Sequence, residues 1–291
     1  MSRFRCQRGQ STVEWVALVL LVSSALALLG AIAGIGLPGA ALAHAIGARI
    51  VCAIELSDAC GPGATGLAGE YGHELAAAVS GHAPQIRYEP GMRALPVDYR
   101  RCREDSCAEG ADKVRVARSL AGEPVTVFTH LIDCRAGSES VGADCSGERA
   151  GNLYLQYWLY YPGSATGEGS TPLRGLIREA SEAIGSPTYH PDDWESIQFR
   201  IGADGRTDVR ASSHHGYGPG WVPEPGADYR VAGGSHAGTL SPAGFDRITN
   251  PRRLWLIPLE PIVAAHPETE FAVTPPWRKR VWLDPEYQGT D

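Results

Sequence analysis

Short runs of alternating apolar and polar residues dominate the chain beyond residue 84. Successive side chains of a strand point to opposite faces, so such runs predict half-buried β-strands. The chain has 35 glycines and 21 prolines, which favours many short strands over long helices. The predicted strands are Val125 to Asp133, Asn152 to Tyr161, Trp194 to Ile201, Thr207 to Ser213, Tyr229 to Ala232 and Leu254 to Pro258. This pattern predicts a mainly β fold, a β-sandwich with long loops.

Between the N-terminal region and the end of the chain, helices are predicted for only two short segments. Apolar residues recur at helical spacing from Pro172 to Ile184, and a second short helix is predicted from Glu70 to Val79. Glycine-rich sequence from Gly61 to Gly69 predicts a linker ahead of it. The expected organisation is a linker and short helix over residues 57–83 and a folded domain over residues 84–291.

The N-terminal region has a different hydrophobic pattern. From Val16 to Ala33 no residue is charged, and about 17 to 25 such residues suffice to span a bilayer. Arg3, Arg5 and Arg8 precede this run, which predicts a cytoplasmic N-terminus. We therefore expect a transmembrane and membrane-proximal helix over residues 10–56. A single span of this orientation puts the C-terminal domain outside the cytoplasm or on the cell surface.

Charge and cysteine content agree with an exported domain. The formal net charge is −7, and no basic stripe is present, so we expect no nucleic-acid partner. Seven cysteines occur, of which six follow Cys6. Neighbour pairing is the simplest of the fifteen connectivities open to six cysteines, and an oxidising compartment would permit it. It predicts the disulfides Cys52–Cys60, Cys102–Cys107 and Cys134–Cys145.

The segment YHPDDWE, followed by the strand SIQFRI, carries the strongest candidate chemistry. Alternation places Asp193 and Glu195 on the same face as Ile197, toward the core. Buried carboxylates need a cation or several donors, and His190 could supply a nitrogen to the same place. This constellation predicts a divalent cation, namely magnesium, calcium, manganese or zinc, or acid-base chemistry. A surface turn with an ion pair at the sheet end is the alternative.

Two further histidine clusters follow predicted strands. His214 and His215 end the segment VRASSHH, and His236 follows Ser235 in GGSHAG. Alternation from Val209 would turn His215 inward, whereas a bulge would turn His214 inward instead. Both alternatives stay open. These strand ends could converge with the acidic segment on one rim of a sandwich.

The N-terminal segment RGQSTVEW resembles the leader junction of type IV prepilins, especially the tight-adherence pilins. The resemblance implies cleavage by a prepilin peptidase after Gly9, so that residues 1–9 form a leader and Gln10 begins the mature chain. Glu14 would be the intramembrane acid at the fifth mature position, and pilus assembly components would be partners. An uncleaved signal anchor is the alternative.

The downstream motifs YWLYYP, DDWE and GSHA resemble the vacuolar protein sorting-associated protein 62 family and the necrosis- and ethylene-inducing peptide-like proteins. The resemblance implies a β-sandwich with a divalent cation in a surface cavity. Pro191 and Asp192 replace the arginine and histidine of the necrosis-inducing signature, which departs from the pattern of cytolytic members. The predicted metal ligands are His190, Asp193, Glu195, His214 and His236. The predicted ligand-binding residues are Asp192, Ser212, His215 and Ser235.

These observations favour a membrane-anchored, pilin-like surface protein whose domain binds a divalent cation and a polar ligand, such as a lipid head group or a glycan. An extracytoplasmic metal-dependent hydrolase is the first alternative, in which the cation would activate water. No nucleophile elbow, zinc-protease helix motif or phosphate loop in the sequence indicates a particular reaction, so enzymatic activity is left open. A minor pilin or pilus-assembly component is the second alternative.

Overall fold

A computed structural model describes residues 64–165, 189–212, 216–218, 220–224, 228–240 and 247–289. The strands are β1 (Gln85–Tyr88), β2 (Thr126–Asp133), β3 (Leu153–Ala165), β4 (Tyr189–Ile201), β5 (Thr207–Ala211), β6 (Val222–Pro223), β7 (Asp228–Val231), β8 (Gly238–Thr239), β9 (Arg247–Thr249) and β10 (Trp255–Pro258). The α-helices are α1 (Ala64–Gly81), α2 (Asp105–Ala108) and α3 (Glu260–Ala265). The 3₁₀ turns are Gly147–Arg149, Pro251–Arg253, Pro276–Arg278 and Arg280–Trp282.

Several predictions concern residues outside these ranges. They are the leader junction at Gly9, Gln10 and Glu14, the transmembrane helix over residues 10–56, the Cys52–Cys60 disulfide and the helix from Pro172 to Ile184. Among the helices that the structure does describe, none combines the length and the apolar character needed to cross a membrane.

The strands form two open sheets. The larger has six strands in the order β10-β2-β3-β4-β5-β6, and the smaller has four in the order β8-β7-β1-β9. Neighbours are antiparallel except for β10 with β2 and β1 with β7. The fold is therefore mainly β with two sheets and few helices, as the alternating runs predict.

The larger sheet is covered on both faces. On one face, apolar side chains of β3, β4 and β5 share a core with Ile86, Tyr88, Tyr229 and Val231 of the smaller sheet. On the other face, aromatic residues of β2, β3 and β4 pack against the C-terminal segment, including Val281. Strands buried on both sides lose the strict polar alternation of a one-sided sheet, which explains why every residue of β2 is buried.

Strand β4 begins earlier than the sequence predicts. It starts at Tyr189 rather than Trp194, and its register with β3 continues from Leu153↔Ile201 to Ala165↔Tyr189. The segment containing Pro191 is typical of a turn. Pairing with the long strand β3 overrides that local preference, so the acidic residues lie inside a strand.

Helix α1 also begins earlier, at Ala64, and so occupies part of the predicted glycine-rich linker. Leu67 is buried in the core, which gives this first turn a packing partner. The linker prediction is therefore wrong from Ala64 onward. Gly72 interrupts the helix with φ 75° and ψ 167°, a conformation that only glycine adopts easily.

Two of the three predicted disulfides are confirmed within the described residues. Cys102 is bonded to Cys107, and Cys134 is bonded to Cys145. Both disulfides close short loops. The first cysteine of each pair, Cys102 or Cys134, is almost fully buried.

Candidate functional site

Asp193 and Glu195 lie on the face of β4 that points into the core shared by the two sheets. In the register with β3, Glu195 is opposite Leu159 and Asp193 is opposite Tyr161. Both of those β3 residues belong to this core, as does Ile197 two residues further along β4. Both carboxylates therefore lie on the core-facing side of β4, as the alternation predicts.

The site opens where β5 stops following β4. The last paired residue of β5 is Ala211, opposite Ile197, so β5 does not extend past Asp193 and Glu195. A cavity of about 160 Å³ lies beside this stretch of β4. Its polar lining is His190, Asp193, Glu195, Ser212, Tyr217 and Lys279.

Each carboxylate of the pair uses one oxygen in a hydrogen bond. Ser212 Oγ donates to Glu195 Oε2 over 2.5 Å, and His236 Nδ1 donates to Asp193 Oδ2 over 2.8 Å. Within the described part of the chain, no donor lies within bonding distance of Glu195 Oε1 or Asp193 Oδ1. The acid pair therefore keeps acceptor capacity that the described residues do not use.

His236 is fixed in position rather than free to turn. Its ring stacks on Tyr161 with 3.9 Å between centroids and an interplanar angle of 10°. Its backbone has φ 56°, in the left-handed region that a non-glycine residue rarely occupies. Strain of this kind is stored where the surroundings hold it, frequently at functional sites. His236 therefore orients Asp193.

The surroundings of Glu195 disfavour its ionised form. Burial raises the pKa of Glu195 well above its usual value, and the nearby charge of Asp193 raises it further. The Ser212 hydrogen bond and the charge of Lys279 oppose this rise without cancelling it. A cation placed between the carboxylates would relieve the repulsion.

Two tyrosine hydroxyls lie unpaired behind the acids. Tyr161 and Tyr229 have no exposed surface, and their hydroxyl oxygens have no hydrogen-bond partner among the residues that the structure describes. Burial raises the pKa of both hydroxyls, and the charges of Asp193 and Glu195 contribute to each shift. Tyr161 is opposite Asp193 in the β3–β4 register and stacks on His236, and Tyr229 lies against Gly238, whose N–H donates to the Ser212 carbonyl oxygen.

Asp192 lies on the opposite face of β4, away from the acid pair. Arg103 donates to both of its oxygens over 2.8 and 2.9 Å, Tyr160 donates over 2.6 Å, and the Ala272 backbone N–H donates over 2.8 Å. A buried carboxylate with this many donors is part of the structural framework. The assignment of Asp192 to ligand binding stays a prediction, and its four hydrogen bonds within the protein give it no support.

The other predicted site residues are only partly assembled. His190 lines the cavity, but its Nδ1 is 2.8 Å from the carbonyl oxygen of Asp192. Ser235 is half-buried in the turn before His236. His214 and His215 lie outside the described residues. Among residues that are described, no group of three or more His, Cys, Asp and Glu side chains has a metal-binding arrangement.

Sequence reasoning missed Lys279, Tyr217 and Tyr229 as neighbours of the acid pair. Lys279 follows the C-terminal Pro276–Arg278 turn, and Tyr229 belongs to the other sheet. No sequence motif links Lys279 or Tyr229 to β4, because only the packing of distant segments brings these residues close to it. Tyr161 was detectable, since alternation places it on the apolar face of β3.

A half-buried carboxylate, that of Glu260, lies in a separate cleft of about 680 Å³ beside α1 and β2. Glu260 accepts a hydrogen bond from His130 Nδ1 over 2.5 Å and one from the Tyr71 hydroxyl over 2.9 Å. His130 also stacks on Trp282, with 3.5 Å between ring centroids, and its Nε2 is 2.9 Å from the carbonyl oxygen of Trp282. Unlike the acid pair, Glu260 therefore receives hydrogen bonds on both carboxylate oxygens from side chains of the protein.

Comparisons with known proteins give similarity to solved structures only. No protein-family model matches the chain, and no curated protein matches it. One similar structure is Necrosis and Ethylene inducing Protein 2 from the causal agent of cocoa's Witches Broom disease, at 19% identity over 62% of this chain and 73% of that one, with a TM-score of 0.32. Another is NLPPya in complex with glucosamine, at 16% identity over 72% and 88%, with a TM-score of 0.40. A third, described as a toxin fold for microbial attack and plant defense, has 14% identity over 72% and 88%, with a TM-score of 0.41.

Proposed function

We propose that the β-sandwich domain binds a divalent cation at Asp193 and Glu195 and, through this cation, a polar ligand such as a lipid head group or a glycan. One observation carries the proposal: two buried carboxylates line the same small cavity, and each retains an oxygen that receives no donor from the described residues. Two like charges in a low-dielectric site are costly unless a counter-charge is present.

The residues at this cavity fit a cation that prefers oxygen ligands. Asp193 Oδ1 and Glu195 Oε1 would hold it, and the polar ligand and water would complete its coordination. Magnesium, calcium and manganese take carboxylate and water oxygens, whereas zinc would also use an imidazole nitrogen such as that of His190. The cation would supply positive charge to an electron-rich group of the ligand.

The size of the cavity limits what can enter it. Sites that enclose a whole small molecule usually have volumes of about 300 to 1,000 Å³, and this cavity has about 160 Å³. It therefore suits a cation with one or two polar groups of a ligand whose remainder lies on the protein surface. That arrangement favours a large ligand that presents an exposed polar end.

Calorimetry on the full chain tests the cation site. We expect one of magnesium, calcium, manganese or zinc to bind, and we expect Glu195→Gln, which keeps the shape and removes a charge, to abolish binding. Glu148→Gln is the matched control, because Glu148 is exposed and far from the cavity in sequence. The absence of binding by all four ions to folded wild-type protein would reject the proposal.

We further propose that a prepilin-like N-terminal segment anchors the domain on the outer side of a membrane. The support is the uncharged run from Val16 to Ala33 behind three arginines, together with two disulfides that require an oxidising compartment. Gly9→Val should block leader removal without blocking membrane insertion. Equal mature masses of variant and wild type would contradict the prepilin reading, and digestion of the domain by external protease would test its orientation.

A further inference from the structure

We propose that the hydroxyl groups of Tyr161 and Tyr229 donate hydrogen bonds to the ligand shell of the cation bound by Asp193 and Glu195. This inference rests on the proposed function and adds two positioning residues to its site. The tyrosines would contact oxygens of the shell, either carboxylate oxygens or water, and not the metal itself.

The first support is that both hydroxyls are buried without a partner. Neither tyrosine has exposed surface, and neither hydroxyl oxygen forms a hydrogen bond within the described part of the chain. Leaving a buried donor unsatisfied costs more than a typical hydrogen bond contributes. Two such hydroxyls beside one site therefore need an explanation.

The second support is that the acid pair has the complementary deficit. Asp193 and Glu195 each have one oxygen without a donor from the described residues, while Tyr161 and Tyr229 each have a donor without an acceptor. The charges of both acids act on both hydroxyls. Buried water commonly makes about three hydrogen bonds to such groups. A shell oxygen between the acids and the tyrosines would satisfy both sides.

The third support is that the fold holds each hydroxyl in place. The Tyr161 ring is fixed by stacking on His236. The Tyr229 ring lies over Gly238, where an added Cβ would be 2.5 Å from the hydroxyl oxygen and 2.4 Å from a ring carbon. A side chain at position 238 would displace the tyrosine, so glycine there permits the observed position of Tyr229.

Neighbouring tyrosines show that this fold can satisfy buried hydroxyls. The Tyr157 hydroxyl donates to the Val79 carbonyl oxygen over 2.6 Å, and Tyr88 is bonded to Thr249 Oγ1 over 3.1 Å. Both belong to the same core as Tyr161 and Tyr229. Of the four buried tyrosines described in this core, Tyr161 and Tyr229 alone have unpaired hydroxyls, although the Tyr99 hydroxyl in the other core is unpaired as well.

Phenylalanine substitutions test the inference on the full chain with two readouts. Without divalent cation, Tyr161→Phe and Tyr229→Phe should each raise the melting temperature by about 2 to 4 °C, because an unsatisfied polar atom is removed. The affinity for the cation that wild type binds best, measured by calorimetry, should fall about 10- to 100-fold, as for other substitutions of groups that support metal ligands.

Tyr157→Phe is the matched control, since it removes a satisfied hydroxyl from the same face of β3. It should lower the melting temperature and leave cation affinity unchanged. The inference is overturned if Tyr161→Phe and Tyr229→Phe behave like this control while wild type binds a cation, and the proposed function then stands. Wild-type protein that binds no magnesium, calcium, manganese or zinc would overturn both.

Discussion

Two glutamates of this domain, the buried Glu195 and the half-buried Glu260, have opposite electrostatic environments. Glu195, on β4, lies two residues from Asp193, and burial together with that like charge raises its pKa. Glu260, at the start of α3, would also have its pKa raised by burial, but the hydrogen bond and charge of His130 lower it below the usual value of 4.5. Burial acts in the same direction on both, so the partners decide the outcome.

The difference separates carboxylates that complete the fold from carboxylates that await a ligand. Glu260 joins α1, β2 and the C-terminal segment through Tyr71, His130 and the contacts of His130 with Trp282. Asp192 belongs to the same class, because Arg103, Tyr160 and a backbone N–H surround it. Asp193 and Glu195 lack such a set of donors and line a cavity instead.

The largest expected effect is at Asp192. Asp192→Asn removes the charge that pairs with Arg103 and replaces one oxygen with an amide that cannot accept from its present donors. We expect the free energy of unfolding to fall by about 3 kcal/mol, as when one partner of a buried ion pair is removed. Urea denaturation measures this change. A loss below about 1 kcal/mol would show that Asp192 is not one of the carboxylates that complete the fold.

A smaller loss is expected at Glu260. Glu260→Gln removes the charge that His130 faces, while Tyr71 keeps the Thr129 carbonyl oxygen as an acceptor, so the loss falls mainly on the hydrogen bond with His130. The expected decrease in unfolding free energy is about 2 kcal/mol, typical of a hydrogen bond to a charged group. The same denaturation experiment on Glu148→Gln, an exposed control, should give a change within about 0.5 kcal/mol. Equal stabilities of these two variants would remove the contrast between Glu260 and a surface residue.

Much of this contrast could be predicted from sequence for β4 and little of it for Glu260. Alternation alone places Asp193 and Glu195 on the core side of β4 and Trp194 on the other. The start of the strand at Tyr189 was not predictable locally, because Pro191 disfavours a strand interior and only pairing with β3 overrides it. Had that start been known, the same alternation would have assigned Asp192 to the opposite face.

The surroundings of both sites come from distant parts of the chain. His130 and Glu260 meet through the packing of α3 on β2, and Lys279 reaches the acid pair from the C-terminal segment. Such contacts have no fixed spacing that periodicity or a short motif could detect. The predicted linker failed for a similar reason, since Leu67 finds its packing partners only in the folded core.

Glu195→Gln should change stability in the opposite direction from Glu260→Gln. With divalent cations removed by chelator, the substitution eliminates a buried charge beside Asp193 and keeps an oxygen that can accept from Ser212. We expect the free energy of unfolding to rise by about 1 kcal/mol near neutral pH, because a carboxylate whose ionised form burial and a like charge disfavour is replaced by a neutral amide. Denaturation in chelator measures it. A clear loss of stability would show that the Glu195 carboxylate stabilises the fold, as the Glu260 carboxylate does.

The smallest effect is the pH dependence of these two differences. The folded-state pKa of Glu195 is raised, so its contribution to stability is complete below its usual value of 4.5 and is lost as the pH rises above it. The pKa of Glu260 is lowered, so its contribution is present above 4.5 and is lost as the pH falls below it. Near pH 5 the gain from Glu195→Gln should therefore shrink to a few tenths of a kcal/mol, while most of the loss from Glu260→Gln persists. Denaturation of both variants in chelator across this range measures the two curves, and a Glu195→Gln gain that is independent of pH would show that it does not arise from the charge of the carboxylate.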